Sequence, residues 1–395
     1  MGQGAARTGI LSRKEEVVHP PLVFVHLGPE VPRYAHATLQ FAASRYEGEV
    51  FLLTDSEMRG KNRARYLVDH ILTWYDRGAF LRFRDKSSLD ASFREGFWLH
   101  VVERFFVLRQ FMDRVGIDKL FHAELDVMVF DLEGVAAHCD QHGGGIFAVM
   151  DAPNRALASL FYVNSSRCFD SFLDFVVNNA DAKNEMSILG KFLQELSSCG
   201  HALPSDRVFD REANPLSPSM VSDSVGLFDA SAFGQWLFGI DPRNVEGFTR
   251  NKFHDGKSNV PFRRLRFKMD YHGKRLSVAM RGGETFQIRS LHVHSKITRR
   301  LSVRLILRTY LWLNRLPFRV LVTVSKGTIP GIVLKALLRG RALRFLQTRS
   351  QRSAHLAKLV LGYLRKRSSL HLSRRQQIAL RELLSNGTRS TYNGP

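Results

Sequence analysis

The chain has 395 residues and a formal net charge of +21, with a hydrophobic share of 44% that is ordinary for a globular protein and sufficient for a sizeable core. The charge sits almost entirely at one end: residues 299–395 hold 21 Lys and Arg against a single acid, Glu382, whereas residues 1–298 hold 37 basic and 36 acidic side chains. A uniformly basic nucleic-acid binder is not partitioned in this way, so nucleic acid is not the expected partner.

Residues 1–18 read as a polar lead-in with no apolar stretch of signal-peptide length, and Ala6 stands where a myristoylation pattern wants Ser or Thr. The run Leu22-Val23-Phe24-Val25-His26-Leu27, closed by Gly28-Pro29, predicts a buried strand. Residues 33–46 have helical character, and Val50-Phe51-Leu52-Leu53 is a second buried strand ending at Thr54-Asp55, which together make a βαβ unit. Residues 97–115 form a strongly apolar helix that Gly116 ends. Strands follow at 119–122, 127–130, 146–149 and 159–164. The alternation predicts an α/β fold, a mainly parallel sheet covered by helices. Cys139, Cys168 and Cys199 lack C-x-x-C spacing and predict free thiols in a reducing compartment. No segment reaches the roughly eighteen uncharged apolar residues of a membrane-spanning helix.

The chemistry concentrates in LFHAELDVMVFDL, where Glu124 and Asp126 fall on one side of an extended backbone. Two carboxylates converging at the end of an apolar strand are costly unless a cation neutralises them. Mg²⁺ and Mn²⁺ prefer oxygen ligands and often share them with substrate phosphates. By itself E-x-D is also common on solvated loops; the flanking apolar strands distinguish this one. The order strand, acidic pair, apolar strand resembles the D-x-D segment of metal-dependent nucleotide-sugar glycosyltransferases with the GT-A (Rossmann-like) fold, with Glu in place of the first Asp. Asp126 is therefore the safer metal ligand, and Glu124 binds through water or orients a neighbour.

The stretch RSLHVHSK carries His292 and His294 on one face of a strand, with Lys296 nearby as a point charge for phosphate. It resembles the H-x-H-S-K ending of a bacterial group of such enzymes, which implies a late histidine ligand opposite the acidic pair. His294, beside Ser295 and Lys296, is the preferred candidate; the alternative is two surface histidines on an edge strand. Residues 225–244 resemble the F-D-x-x-x-x-G-Q segment of the same group through Phe228, Asp229, Gly234 and Gln235. Asp229 is either a general base or acceptor-positioning carboxylate, or the N-cap of a helix around 230–237. Phe228 and Trp236 are candidate sugar-stacking faces. Asn184-Glu185-Met186 also fits the group, although the start of a helix is the simpler reading. The resemblance implies that His26 and Asp55, at the ends of the first two strands, bind nucleotide. Arg104 in the apolar helix needs a partner, which a donor phosphate, Glu124 or a structural ion pair supplies.

The resemblance covers most of residues 20–298. It implies a domain at 19–298, divided into a nucleotide-sugar half (about 19–150) and an acceptor half (151–298). It also implies a Mn²⁺ or Mg²⁺ cofactor, a nucleotide-sugar donor and a glycan or lipid-linked acceptor, as in polysaccharide biosynthesis. The remaining 299–395 read as basic amphipathic helices suited to an anionic membrane surface, which gives a cytoplasmic, peripheral-membrane expectation. A packed helical bundle is the alternative for the tail. A non-catalytic, glycosyltransferase-like protein recruited to membrane or RNA is the alternative for the whole chain.

Overall fold

The computed structural model describes residues 19–56, 65–94, 96–209, 225–238, 265–269, 275–280 and 283–294. The lead-in 1–18, Lys296 and the basic segment 299–395 lie outside the described residues. The first sheet begins with β1 (Leu22–His26), α1 (Arg33–Ala43), β2 (Val50–Thr54) and β3 (Leu67–His70). Helices α2 (Gly78–Arg84) and α3 (Phe97–Val115) lead to β4 (Leu120–Ala123). After β5 (Val127–Val129) and α4 (Val135–Asp140) come β6 (Ile146–Ala152), β7 (Arg155–Val163), α5 (Ser166–Asn178), α6 (Glu185–Glu195) and β8 (Gly200–Leu203).

These strands form a seven-stranded sheet in the order β3-β2-β1-β4-β7-β6-β8. The pairs β2–β3, β1–β2, β1–β4 and β6–β8 are parallel, and only the two pairs made by β7 are antiparallel. The expected α/β architecture with a mainly parallel sheet is present. The sheet runs continuously past residue 150, because β6 spans Ile146–Ala152 beside β7.

Its strands are apolar on both sides because both faces are covered. Leu22, Phe24, Leu52, Phe121, Phe147 and Val149 pack with Ala35 and Leu39 of α1. Their alternates Val23, Leu53, Leu120, Ile146, Ala148 and Met150 pack with α3, α5 and α6. Helix α3 ends as its sequence predicts: Gly116 is left-handed (φ +69°), and Ile117 N donates to Met112 O at 3.0 Å. Ser165 caps α5 through Cys168 N, and Asn184 caps α6 through Ser187 N.

A second, five-stranded sheet was not foreseen. It comprises β9 (Leu227–Phe228), β10 (Leu265–Met269), β11 (Leu276–Met280), β12 (Thr285–His292) and β5, with the short helix α7 (Ala232–Phe238) following β9. Strand β12 is the hub, antiparallel to β11 and β5 and parallel to β9.

The expectation of free thiols is corrected for two of the three cysteines. Cys168 and Cys199 form a disulfide with Cα atoms 5.4 Å apart. They are 31 residues apart in sequence and meet because α5 starts beside the β6–β8 edge, a proximity that spacing cannot reveal. Cys139 is free and buried, and burial pushes its thiol up to about 12.

Gly190 gives a test of how α6 seats on this sheet. A Cβ at this position would lie 2.5–2.6 Å from backbone atoms of Asn154 and Arg155. In a free helix Gly→Ala stabilises by roughly 1 kcal/mol; here the contact reverses the sign. Gly190→Ala is expected to destabilise by about 1–3 kcal/mol in urea melts, and a stabilised variant would contradict the close helix–strand approach.

Candidate metal centre

The turn between β4 and β5 carries Glu124 and Asp126. Its shape is set by Glu124 N donating to Ser159 O and Val127 N donating to Glu124 O, both at 2.9 Å. Strand β12 then arrives antiparallel to β5, with His292 opposite Val127 and Leu291 opposite Met128. One residue beyond the strand, Val293 N donates to Asp126 O at 2.7 Å. This pairing delivers an imidazole from the end of the domain to the acidic pair. His292 Nε2 lies 3.3 Å from Asp126 Oδ1 and 3.6 Å from Glu124 Oε2. One ligand atom from each of Glu124, Asp126 and His292 falls within 4.8 Å of the others, the only such trio among the described residues.

The donor set suits Mn²⁺ or Mg²⁺: two carboxylates, favoured by hard cations, and one imidazole, which Mn²⁺ accepts. His292, not the preferred His294, is the imidazole of the trio. Residues two apart on an ideal strand would be equivalent, but β12 ends at His292 and His294 N turns back to His292 O at 3.1 Å. The two rings stack with centroids 3.8 Å apart. Burial lowers the pKa of His292, but the carboxylates of Asp126, Glu124 and Asp229 outweigh it, so the net shift is upward.

Arg104 emerges from α3 into the same site. Its Nη1 donates to Glu124 Oε1 at 2.5 Å, and its Nη2 is 3.9 Å from Glu185 Oε1. Arg104 Nε and Nη2 and Glu185 Oε2 are buried without hydrogen-bond partners. Asn184 caps the helix start that the sequence predicts, and the Glu185 side chain beside it is buried against Arg104. Burial pushes its carboxyl up to about 7; Arg104 opposes the rise and Glu124 adds to it. Its sequence signal was the Asn184-Glu185-Met186 resemblance alone.

Asp229 follows β9 and is buried, and its carboxylate is taken by backbone. Oδ1 accepts from Phe233 N (2.9 Å), and Oδ2 accepts from Gly234 N (2.7 Å) and His292 N (2.9 Å). The helix-cap reading accounts for the first two bonds, and the third ties the cap to His292. Gly234 is needed because a Cβ there would lie 1.9 Å from His292 O. Burial raises the Asp229 carboxyl to about 6, opposed first by the His292 amide. Asp206, which carried no sequence signal, accepts from Ala230 N (3.0 Å) and Ala232 N (3.2 Å). It thereby holds Ser231 in a left-handed conformation (φ +76°) that non-glycine residues rarely adopt. Burial, then repulsion from Asp229, raises the Asp206 carboxyl well above its usual range. Phe228 is fully buried and so is no sugar-stacking face.

His26 and Asp55 end the neighbouring parallel strands β1 and β2. With Val23 opposite His122, β1 and β4 leave the sheet at the same end as Glu124. Asp55 accepts from Gly28 N at 2.9 Å, and the His26 ring bonds Glu30 O at 3.0 Å. Ligands of open α/β sheets bind at this carboxyl end.

No protein-family model and no curated protein matches the chain. Among solved structures it is similar to mouse xyloside xylosyltransferase 1 in its apo form (11% identity, 47% of this chain and 86% of that one, TM-score 0.36). It is similar also to the PaToxG glycosyltransferase (10% identity, 46% and 71%, TM-score 0.31). A third is the galactosyltransferase LgtC in complex with donor and acceptor sugar analogs (12% identity, 51% and 81%, TM-score 0.33). The function proposed below rests on the residues of the site and not on these likenesses.

The raised pKa of Glu185 makes stability pH-dependent. The folded chain keeps this proton to about pH 7 and an unperturbed carboxyl only to 4.5. The contribution of Glu185 to stability is therefore fully present below the lower value, is lost as pH rises between the two, and levels off above the higher. Glu185→Gln is expected to remove this fall, gaining up to about 3 kcal/mol relative to wild type between about pH 5 and pH 8. Denaturant melts in chelator would read the gain; parallel curves for the two proteins would refute it.

Proposed function

We propose that the chain is a glycosyltransferase that moves a sugar from a nucleotide-diphosphate donor to a hydroxyl of a glycan or lipid-linked acceptor. The observation that carries this reading is the convergence of Glu124, Asp126 and His292 at the carboxyl end of a buried strand, with Arg104 beside them. A divalent ion held by these three side chains would supply Lewis-acid stabilisation to the departing diphosphate. Arg104 holds Glu124 in place and presents its remaining donors to an anionic donor group. Asp229 acts as a positioning residue, fixing the backbone of His292 through its amide. Glu185 is the nearby buried carboxylate with an oxygen left over for a sugar hydroxyl. His26 and Asp55 would meet the nucleoside at the ends of β1 and β2, and Lys296, which follows β12 in sequence, would reach phosphate.

A panel of nucleotide sugars, titrated calorimetrically with and without Mn²⁺, tests the reading. One donor is expected to bind in a metal-dependent way. Asp126→Ala and His292→Ala should abolish that dependence, and His294→Ala should weaken it less. Metal-independent binding, or a larger effect at His294, would refute the assigned ligand set.

The basic segment would hold the enzyme at the cytoplasmic face of an anionic membrane. Electrostatic attraction is worth about 1 kcal/mol per basic residue near the surface and is screened by salt. Apolar residues such as Leu311 and Trp312 add attraction that salt does not remove. Residues 299–395 are expected to bind anionic vesicles strongly and neutral vesicles weakly, with incomplete release at high salt. Tight RNA binding without vesicle binding would overturn the membrane reading.

A further inference from the structure

Helix α3 reaches past the sheet it covers. Its 19 residues span roughly 28 Å, and the four residues of β4 span roughly 13 Å. Only residues 116–119 join the two, so α3 runs antiparallel to β4 and its first turns project beyond the carboxyl end of the sheet. His100, Arg104, Val107 and Phe111 follow at helical spacing and share one face. That face meets the sheet. The Phe111 ring packs on Phe51 of β2 with centroids 5.2 Å apart, Val107 is buried, and Arg104 reaches Glu124 at the exit of β4. Strand β1 lies between β2 and β4, so the stripe passes over β1. His100 stands one turn further out than Arg104, roughly 5–6 Å, beyond the carboxyl end where His26 and Asp55 lie.

The His100 ring is held from one side. Its Nδ1 is buried, makes no hydrogen bond and lies 3.7 Å from Glu103 Oε2. The side chain is nevertheless 39% exposed, so its exposed part is the other edge of the ring, which carries Nε2. Residue 96 is a glycine, and a Cβ there would lie 3.7 Å from His100 Nε2, so no side chain at the start of α3 covers this nitrogen. A carboxylate at Nδ1 fixes the proton there and decides what Nε2 can do. Glu103 raises the pKa of His100, and burial opposes the rise.

Glu103 is itself buried and needs a cation. Arg77, in the link between β3 and α2, supplies it: Nε donates to Oε1 at 2.6 Å and Nη2 to Oε2 at 2.9 Å. The link is fastened further along α3, where Asp76 N donates to Gln110 Oε1 at 2.9 Å and Gln110 Nε2 to Asp76 O at 2.7 Å. The paired Arg77 cancels the charge of Glu103. The carboxylate can therefore orient His100 without adding net negative charge to the mouth of an anion site.

We propose that His100 is a donor-binding residue whose Nε2 donates a hydrogen bond to an oxygen of the nucleotide's diphosphate, with Glu103 and Arg77 positioning the ring. The assignment rests on the glycosyltransferase reading. It places a second imidazole on the donor side of the site, one turn of α3 above Arg104 and apart from the metal trio. Charge-assisted hydrogen bonds of this kind are among the strong ones.

The test uses the full chain. UDP, GDP, CDP and ADP are titrated calorimetrically with Mn²⁺, and the tightest of the four becomes the probe. Its parent nucleoside is measured by competition, and Mn²⁺ alone by the loss of its free electron-spin signal. His100→Ala is expected to weaken the diphosphate about tenfold or more, with nucleoside affinity, Mn²⁺ affinity and melting temperature unchanged. His100→Gln should recover part of the loss, because its amide N–H can stand in for Nε2. Unchanged diphosphate affinity in His100→Ala would overturn the assignment alone. An equal loss for the nucleoside would put the contact on base or ribose and overturn the phosphate role. A loss of Mn²⁺ affinity with a lower melting temperature would make His100 a structural support of Arg104 and Glu124, which also overturns it. If none of the four diphosphates binds the wild-type chain, the glycosyltransferase reading falls, and this assignment with it.

Discussion

The antiparallel pairing of β12 with β5 is the constraint on which the site depends. Strand β5 is only three residues long and follows directly on the acidic turn, so its partner's register decides what faces Glu124 and Asp126. With Ser290 opposite Val129 and His292 opposite Val127, the strand ends where the carboxylates stand. A register slip of one residue would send His292 to the opposite face. Several contacts guard against that slip. Arg289 is buried and donates to Val225 O and Asp131 O, both at 2.8 Å. Asp229 holds the His292 amide, and Gly234 lets α7 approach the His292 carbonyl.

Charge balance explains why this many ionisable groups tolerate burial together. Glu124 and Asp126 face Arg104 and His292, whose pKa their carboxylates raise, and burial pushes Glu185 toward its neutral form. Buried ion groups of this kind are weak sources of stability but costly to break, since removing one partner strands another charge. The oxygens of Asp206 and Asp229 are occupied by backbone amides.

The sequence by itself determined the local parts. Apolar runs long enough for a strand, the 19-residue apolar helix and its terminal glycine made β1, α1, β2, α3, β4 and β6 legible. Each of these is settled by contacts to a covering layer that any apolar partner can provide. The proximity of Glu124 and Asp126 was equally legible, because two residues apart on one extended stretch need no tertiary information. The tertiary structure decided everything that depends on pairing over long separations. It put His292, where β12 stops, within reach of Glu124 and Asp126. It buried Glu185 against Arg104, joined Cys168 to Cys199, and gave the Asp229 carboxylate the amides of Phe233, Gly234 and His292. Sequence could not reveal these outcomes, because strand register and helix seating are fixed by contacts between segments, and residue spacing within one segment carries no record of them.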